Sequence, residues 1–492
     1  VSTSGSTALS NDTQPPHRPA GALDRYFHIT ERRSTVGTEI RGGVVTFFAM
    51  AYIILLNPLI IGTSADREGV MLGIPRVAAA TALVAGVMSI LFGVVAKYPF
   101  GIATGLGLNT LVAVTLVGQQ GLTWPEAMGL VVIDGIVICI LAVSGFRTAV
   151  FRAIPDSMKA AMSVGIGMFI ALIGLVDAGF VRRIPDAAMT TVPVQLGIDG
   201  SIASWPTFVF VIGLVICGFA VARNIPGGLF IGIVLTTIIS IVVEKLTGAG
   251  SSVDNPAGWS LAVPGLPDSL GGVPDLSIVG DVDLFGAFVH VGVVSASLLV
   301  FTLVLANFFD AMGTMTALGR QAGLTDENGE LPNLKRALVV EGFGAVVGGA
   351  ASSSSNTVFV DSSAGIADGA RTGLANVVTG ILFLLAMFLT PLYEIVPIEA
   401  AAPVLVVVGA LMMMQVGTIN WNMFHIALPA FLTIVTMPFT YSIANGIGVG
   451  FIAFTLMAVF AGKAKEVHWI MWLISALFVV FFAHGPIMAA LG

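Results

Sequence analysis

Apolar runs of about 20 residues recur along nearly the whole of this 492-residue chain, the length that spans the hydrocarbon core of a bilayer as an α-helix. With 56% hydrophobic and only 10% charged residues, the chain has too little charged surface to solvate a globule of its size. The lipid bilayer is the solvent that fits. Period-2 alternation is absent, which excludes a β-barrel. The formal charge of −7 says little about partners, because the side of the membrane on which charges lie matters more than their sum. Nothing supports a nucleic-acid partner. Cys139 and Cys217 lie inside apolar runs without CxxC spacing and read as small buried hydrophobes, not as disulfide, zinc or redox groups.

The reading is an all-α polytopic membrane protein. Residues 1–22 are rich in Ser, Thr, Pro and Gly, lack the apolar core of a signal peptide, and read as a disordered cytoplasmic tail. Arg25, Arg32, Arg33 and Arg41 precede the first span and place the N-terminus in the cytoplasm. About fifteen candidate spans follow, from 43–62 to 467–487, of which 108–119 and 363–371 are too short to cross alone. Counted from a cytoplasmic start, Lys97, Arg147, Arg152, Lys159, Arg223, Arg320, Lys335, Arg336, Lys463 and Lys465 fall inside, whereas Arg182 and Arg183 fall outside. A Gly-, Pro-, Ser- and Asp-rich extracytoplasmic loop, 248–285, divides the chain into a first membrane repeat, 23–247, and a second, 286–492. The run from Asn224 to Ile231 resembles that from Asn445 to Ile452, and the stretch after Ile154-Pro155 resembles that after Val396-Pro397. Seven spans per half, an odd number, make the repeats inverted, the scaffold of an alternating-access carrier, and leave the last segment as an extra one.

Two interrupted segments stand at corresponding places in the halves. The first, Tyr98 to Thr110, is glycine-rich and extended; the second runs from the serines Ser352 to Ser355 through a β-branched stretch to Asp361-Ser362-Ser363-Ala364-Gly365. Extended backbone at membrane depth is tolerated only where it is buried in protein or lines a cavity. Each segment therefore reads as a short strand followed by a half-helix, segments 3 and 10, with free N–H groups facing the midplane. Close helix packing alone would explain the glycines, but not a serine run that ends in an acid. Asp361, with Ser362 beside it, can accept from ring N–H or amino groups of a planar polar solute, and is, with Asp310 and Glu341, a candidate proton carrier. The other intramembrane acids are Asp134, Asp310 and Glu341. Asn307 and Asp310 are three apart and are expected to share a helix face. Asp310 reads either as a proton carrier or as a support for the neighbouring half-helix, and Glu341 as a proton relay or, more simply, a structural pair; Asp134 receives no role.

Catalytic motifs are missing: there is no HExxH, no GxSxG and no Walker A, and His17, His28, His290, His425, His468 and His484 are scattered. The chain does not read as an enzyme and implies no cofactor or metal. The loop 323–332 lacks the spaced ligands of a calcium site and reads as a solvated turn. Without an ATP site, uphill transport needs an ion gradient. An anion carrier on the same fold would favour a basic residue at the midplane, and the central segments supply none.

These residues resemble the azaguanine-like adenine/guanine/hypoxanthine permeases, relatives of the uracil permease and the nucleobase-ascorbate transporters. The resemblance runs from about residue 23 to the C-terminus. It rests on Leu23-Asp24-Arg25-Tyr26-Phe27, Thr38 to Gly43, Thr46 to Ile53, Asn57-Pro58, Gly105-Leu106-Gly107-Leu108-Asn109, Phe309-Asp310 with Gly313-Thr314, Ala364-Gly365-Ile366 with Gly369, Arg371 to Leu374 and Val377 to Gly380. It implies about 14 transmembrane segments in two inverted sevens, a core domain moving against a gate domain, and symport of a purine base with a proton across the cell (inner) membrane. Carried over by motif, the family's binding positions fall on Asn109, Asn307, Asp310 and Asp361. Asn307 stands where the family usually has Asp, Asp361 where it usually has Glu, and Leu111 and Val112 replace an aromatic pair. The resemblance leaves a homodimer open.

Overall fold

The computed structural model describes residues 21–145, 153–183, 194–260, 262–266, 269, 271–326, 331–392 and 395–491. Residues 1–20 of the expected tail, Arg147, Arg152 and part of the 323–332 loop lie outside the described residues. The first half holds α1 (Ala22–Phe27), α2 (Val36–Met50), α3 (Ile53–Ile61), α4 (Ile74–Val95), strand β1 (Ile102–Thr104), α5 (Leu106–Thr110) and α6 (Trp124–Ser144). It continues through α7 (Asp156–Asp177), a short hairpin of β2 (Val181–Arg183) and β3 (Val194–Leu196), α8 (Trp205–Ala222) and α9 (Gly228–Thr247). After the long loop come α10 (Gly286–His290), α11 (Val293–Gln321), α12 (Leu334–Ala350), strand β4 (Asn356–Val358), α13 (Ser362–Ala367) and α14 (Gly373–Ala386). The chain ends in α15 (Ile398–Met413), α16 (Phe424–Phe439), α17 (Ile443–Phe460) and α18 (Trp469–Leu491).

Among the described residues, 9 helical segments are long and apolar enough to cross a bilayer, and 4 shorter apolar ones accompany them. The chain is a mostly helical, multi-pass membrane protein. Two differences from the hydropathy pattern have physical causes. The first span tightens where α2 meets α3, with the Ile54 and Leu55 N–H groups donating three residues back to the Ala51 and Tyr52 carbonyls, and Tyr52 lines a cavity. The eighth does not stop near residue 306, where hydropathy falls, but continues as α11 to Gln321. Its polar residues Asp310 and Thr314 face a cavity, so a helix can carry them at membrane depth.

The two interrupted segments meet at the centre. β1 and β4 pair antiparallel with Ile102 opposite Val358, Ala103 opposite Thr357 and Thr104 opposite Asn356, all buried. Each strand satisfies the backbone of the other where neither lipid nor water could. β1 leads into α5, extended by a π-helical stretch over Leu111–Gln119, and β4 leads into α13. Both expected strand and half-helix units are present.

Helices pack around this crossing in pairs: α4 on α14, α6 on α12, α7 on α15 and α16, α8 on α9 and α15, and α16 on α17. The α4–α14 contact is backbone against backbone. A Cβ on Gly373 would stand 1.9 Å from the Gly93 carbonyl oxygen, and one on Gly93 would stand 2.4 Å from that of Gly373. Small residues at such crossings let dispersion contacts hold helices together where lipid supplies no hydrophobic drive.

Candidate functional site

The half-helices open onto a cavity of about 190 Å³. That is smaller than the ~300–1,000 Å³ of sites for drug-sized ligands and suits a compact solute. One wall is built from the crossing segments and α11. Gly105 to Leu108 and Val358 to Asp361 line it from the crossing segments, and α11 contributes Ala306, Asp310 and Thr314, spaced four apart on one face. The opposite wall comes from α7, with Ser163, Ile166 and Ile170, and from α15 and the turn after it, with Val408, Leu411, Met412 and Gln415.

Asp361 occupies the position just before α13, and the Tyr52 hydroxyl donates to its Oδ2 at 2.9 Å. The Asp310 carboxylate lies over the start of α5: a Cβ on Gly105 would stand 3.6 Å from Asp310 Oδ2. Two carboxylates thus face one small apolar cavity. Among its described lining residues none is Lys or Arg. Such a site accepts hydrogen bonds and offers an anion no counter-charge.

Other sequence-derived candidates lie behind the lining. Asn307 precedes Asp310 by three positions, or 300° of helix rotation, and the missing 60° turns it away from the cavity. Its amide donates to Ser355 Oγ at 2.9 Å and to Asp134 Oδ2 at 3.3 Å, and Ser355 Oγ donates to the same Asp134 oxygen at 3.3 Å. Asn307, Ser355 and Asp134 are fully buried. They tie α11, the turn into β4 and α6 together, which gives Asp134 a role the sequence reading lacked. Asn109 is also fully buried, its Oδ1 taking the Thr104 hydroxyl at the end of β1. Ser362 accepts from the Gly101 backbone N–H at 2.9 Å and so locks α13 to β1. Glu341 is fully buried on α12, outside the lining.

The serine run has a backbone task. Ser352 and Ser354 adopt left-handed φ values of 54° and 71°, turning the chain from α12 into β4. Ser352 Oγ donates to the Ile278 carbonyl at 3.0 Å, and the Asn57 amide donates to the Ser353 carbonyl at 3.1 Å. Sequence reasoning missed Tyr52, Thr314, Ser163 and Gln415. Tyr52 and Thr314 sit inside motifs already singled out; the other two carried no local signal.

A model of the Permease family matches residues 37–449. The chain belongs to the Permease family. This permease is 36% identical over 467 residues to a guanine/hypoxanthine permease of Bacillus subtilis, covering 94% of this chain and 99% of the relative. It is 33% identical over 473 residues to an adenine permease of Escherichia coli, covering 96% and 99%. These relatives bear out the resemblance read from the motifs. The family makes the chain a transporter rather than an enzyme. Among solved structures, the transmembrane domain of a cyanobacterial bicarbonate transporter superposes with a TM-score of 0.58 at 16% identity, covering 83% of this chain and 97% of that one. The murine anion transporter Slc26a9 gives 0.58 at 11% identity, covering 92% and 74%. At these identities the likeness is one of fold.

Proposed function

We propose that this permease is a secondary active carrier that imports purine nucleobases by proton symport with alternating access. The observation that carries the reading is the pair of carboxylates, Asp310 and Asp361, facing a cavity with no Lys or Arg among its described lining residues. Purines are compact and planar and present N–H groups to such acceptors. The names of the relatives support the same solute class.

The packing supports two inverted sevens, 23–247 and 286–492, around the extracytoplasmic loop 248–285. Exchanging α4 with α12 and α6 with α14 turns the α4–α14 contact into α12–α6, and exchanging α7 with α15 and α8 with α16 turns α7–α16 into α15–α8. On this reading α18 is an additional segment. The crossing strands, half-helices and α11 belong to a core, α7 and α15 to a gate, and the cavity opens alternately as one moves against the other. The N-terminus lies in the cytoplasm and the carrier in the cell (inner) membrane.

Coupling requires the proton and the base to bind the same facing states better together than apart. Proteoliposomes acidified outside are expected to accumulate labelled hypoxanthine or adenine above equilibrium. Asp310→Asn is expected to equilibrate the base without accumulating it. A wild-type carrier that equilibrates but never accumulates would be a facilitator.

Asn307→Ala separates binding from scaffold. Losing the donor to Ser355 and Asp134 should lower thermal stability by about 1–3 kcal/mol, the range for disrupting one buried polar contact. Base affinity should change by less than about threefold, under 0.7 kcal/mol. A loss of affinity beyond about tenfold would put Asn307 in direct contact with solute.

A further inference from the structure

The wall that faces the two carboxylates carries polar groups of its own. Ser163 on α7 and Gln415 in the turn after α15 line the same cavity as Asp310 and Asp361. The remaining lining of that wall is apolar: Ile166, Ile170, Val408, Leu411 and Met412. Behind the opposite wall the Asn307 amide and the Ser355 hydroxyl bond to each other and to Asp134, and Ser352 bonds to backbone, while Asn109 Nδ2, Asn307 Oδ1 and Ser354 Oγ make no hydrogen bond to a described residue. The Ser163 hydroxyl is half-buried and the Gln415 amide exposed, and neither bonds to another described residue, so both are open to water or to a solute in the cavity they line.

We propose that Gln415, assisted by Ser163, is the specificity-determining contact for the far edge of the base. The proposal rests on the purine reading and goes beyond it by dividing recognition between the walls. A carboxylate in its ionised form accepts only from N–H groups, and so does not distinguish bases by their acceptors. A glutamine amide presents one donor and one acceptor side by side, and matches an edge that pairs a carbonyl or ring nitrogen with an N–H or amino group. Gln415 therefore reads the substituents that make hypoxanthine, guanine and adenine different. Being on the opposite wall from Asp361, it also makes base identity a condition for bringing the walls together. A ligand whose far edge leaves the amide unmatched loses that contact on closure.

The test is competition by hypoxanthine, guanine and adenine for labelled base bound to detergent-purified wild type, Gln415→Leu, Gln415→Glu and Ser163→Ala. Gln415→Leu should weaken all three bases and compress the differences between them. Gln415→Glu keeps the size but offers acceptors only, so it should shift preference by about tenfold toward the amino-bearing bases relative to hypoxanthine. Ser163→Ala should move the ratios in the direction of Gln415→Leu but less. If wild type and variants bind bases with the same ratios, the inference fails while the purine reading stands. If wild type binds none of them, both fail. A Gln415→Leu protein that does not fold leaves the Gln415→Glu ratios to decide.

Discussion

Asp361→Ala is expected to abolish uptake, with a loss of at least ~100-fold in the affinity for base, while folded protein remains in the membrane. That loss corresponds to about 2.7 kcal/mol, within the range for removing one partner of a charge-assisted hydrogen bond. The side chain lines the cavity, and among the described residues its side-chain partner is the Tyr52 hydroxyl. Its removal therefore costs the site more than the fold. Tyr52→Phe removes the donor that orients Asp361 and should weaken binding by roughly tenfold, a smaller effect because the acceptor stays. Equilibrium binding by purified protein, with a gel-filtration profile as the check on folding, measures both. Near-normal affinity in Asp361→Ala would remove Asp361 from the site.

The second large effect is expected far from the cavity. Gly373→Val places a branched side chain where the first added carbon would already stand 1.9 Å from the Gly93 carbonyl oxygen, with the Gly93 Cα within 2.9 Å. Backbone on backbone has no rotamer to yield, so α4 and α14 must separate. Monodisperse protein should be lost altogether, judged by fluorescence-detected size exclusion after solubilisation. Recovery of wild-type yield and stability would show that the two helices can move apart cheaply, contrary to the packing described.

Much of the architecture was legible because a bilayer leaves the backbone few options. The glycine-rich run near Gly105 and the β-branched run near Thr357 could be read as strands, since extended chain at that depth must be buried. Asp310 and Asp361 could be singled out for the same reason as any acid in lipid. Asn307 lies outside the cavity lining, because a spacing of three defines a stripe of neighbours, not which of them faces the hole. The serines before β4 carried the right signal, polarity, but their task is to turn the chain and anchor its carbonyls. The Tyr52 contact was out of reach: it joins residues 309 positions apart, and only the assembled helices bring them together. Gln415 follows α15 after a run from Val404 to Met414 that carries no polar side chain to mark a cavity nearby.

The strand pair at the centre also sets a timetable. Ile102–Thr104 leaves the ribosome roughly 250 residues before its partner, Asn356–Val358. At ~5–20 residues per second the wait lasts on the order of tens of seconds. Throughout it, the peptide groups of β1 have no ladder and sit in a half-built bundle. The nascent chain must therefore shelter them, by holding the segment at the translocon or near the lipid headgroups, until its counterpart arrives. Biogenesis of this permease is thus tied to a single late event, the closing of three residue pairs across the middle of the molecule.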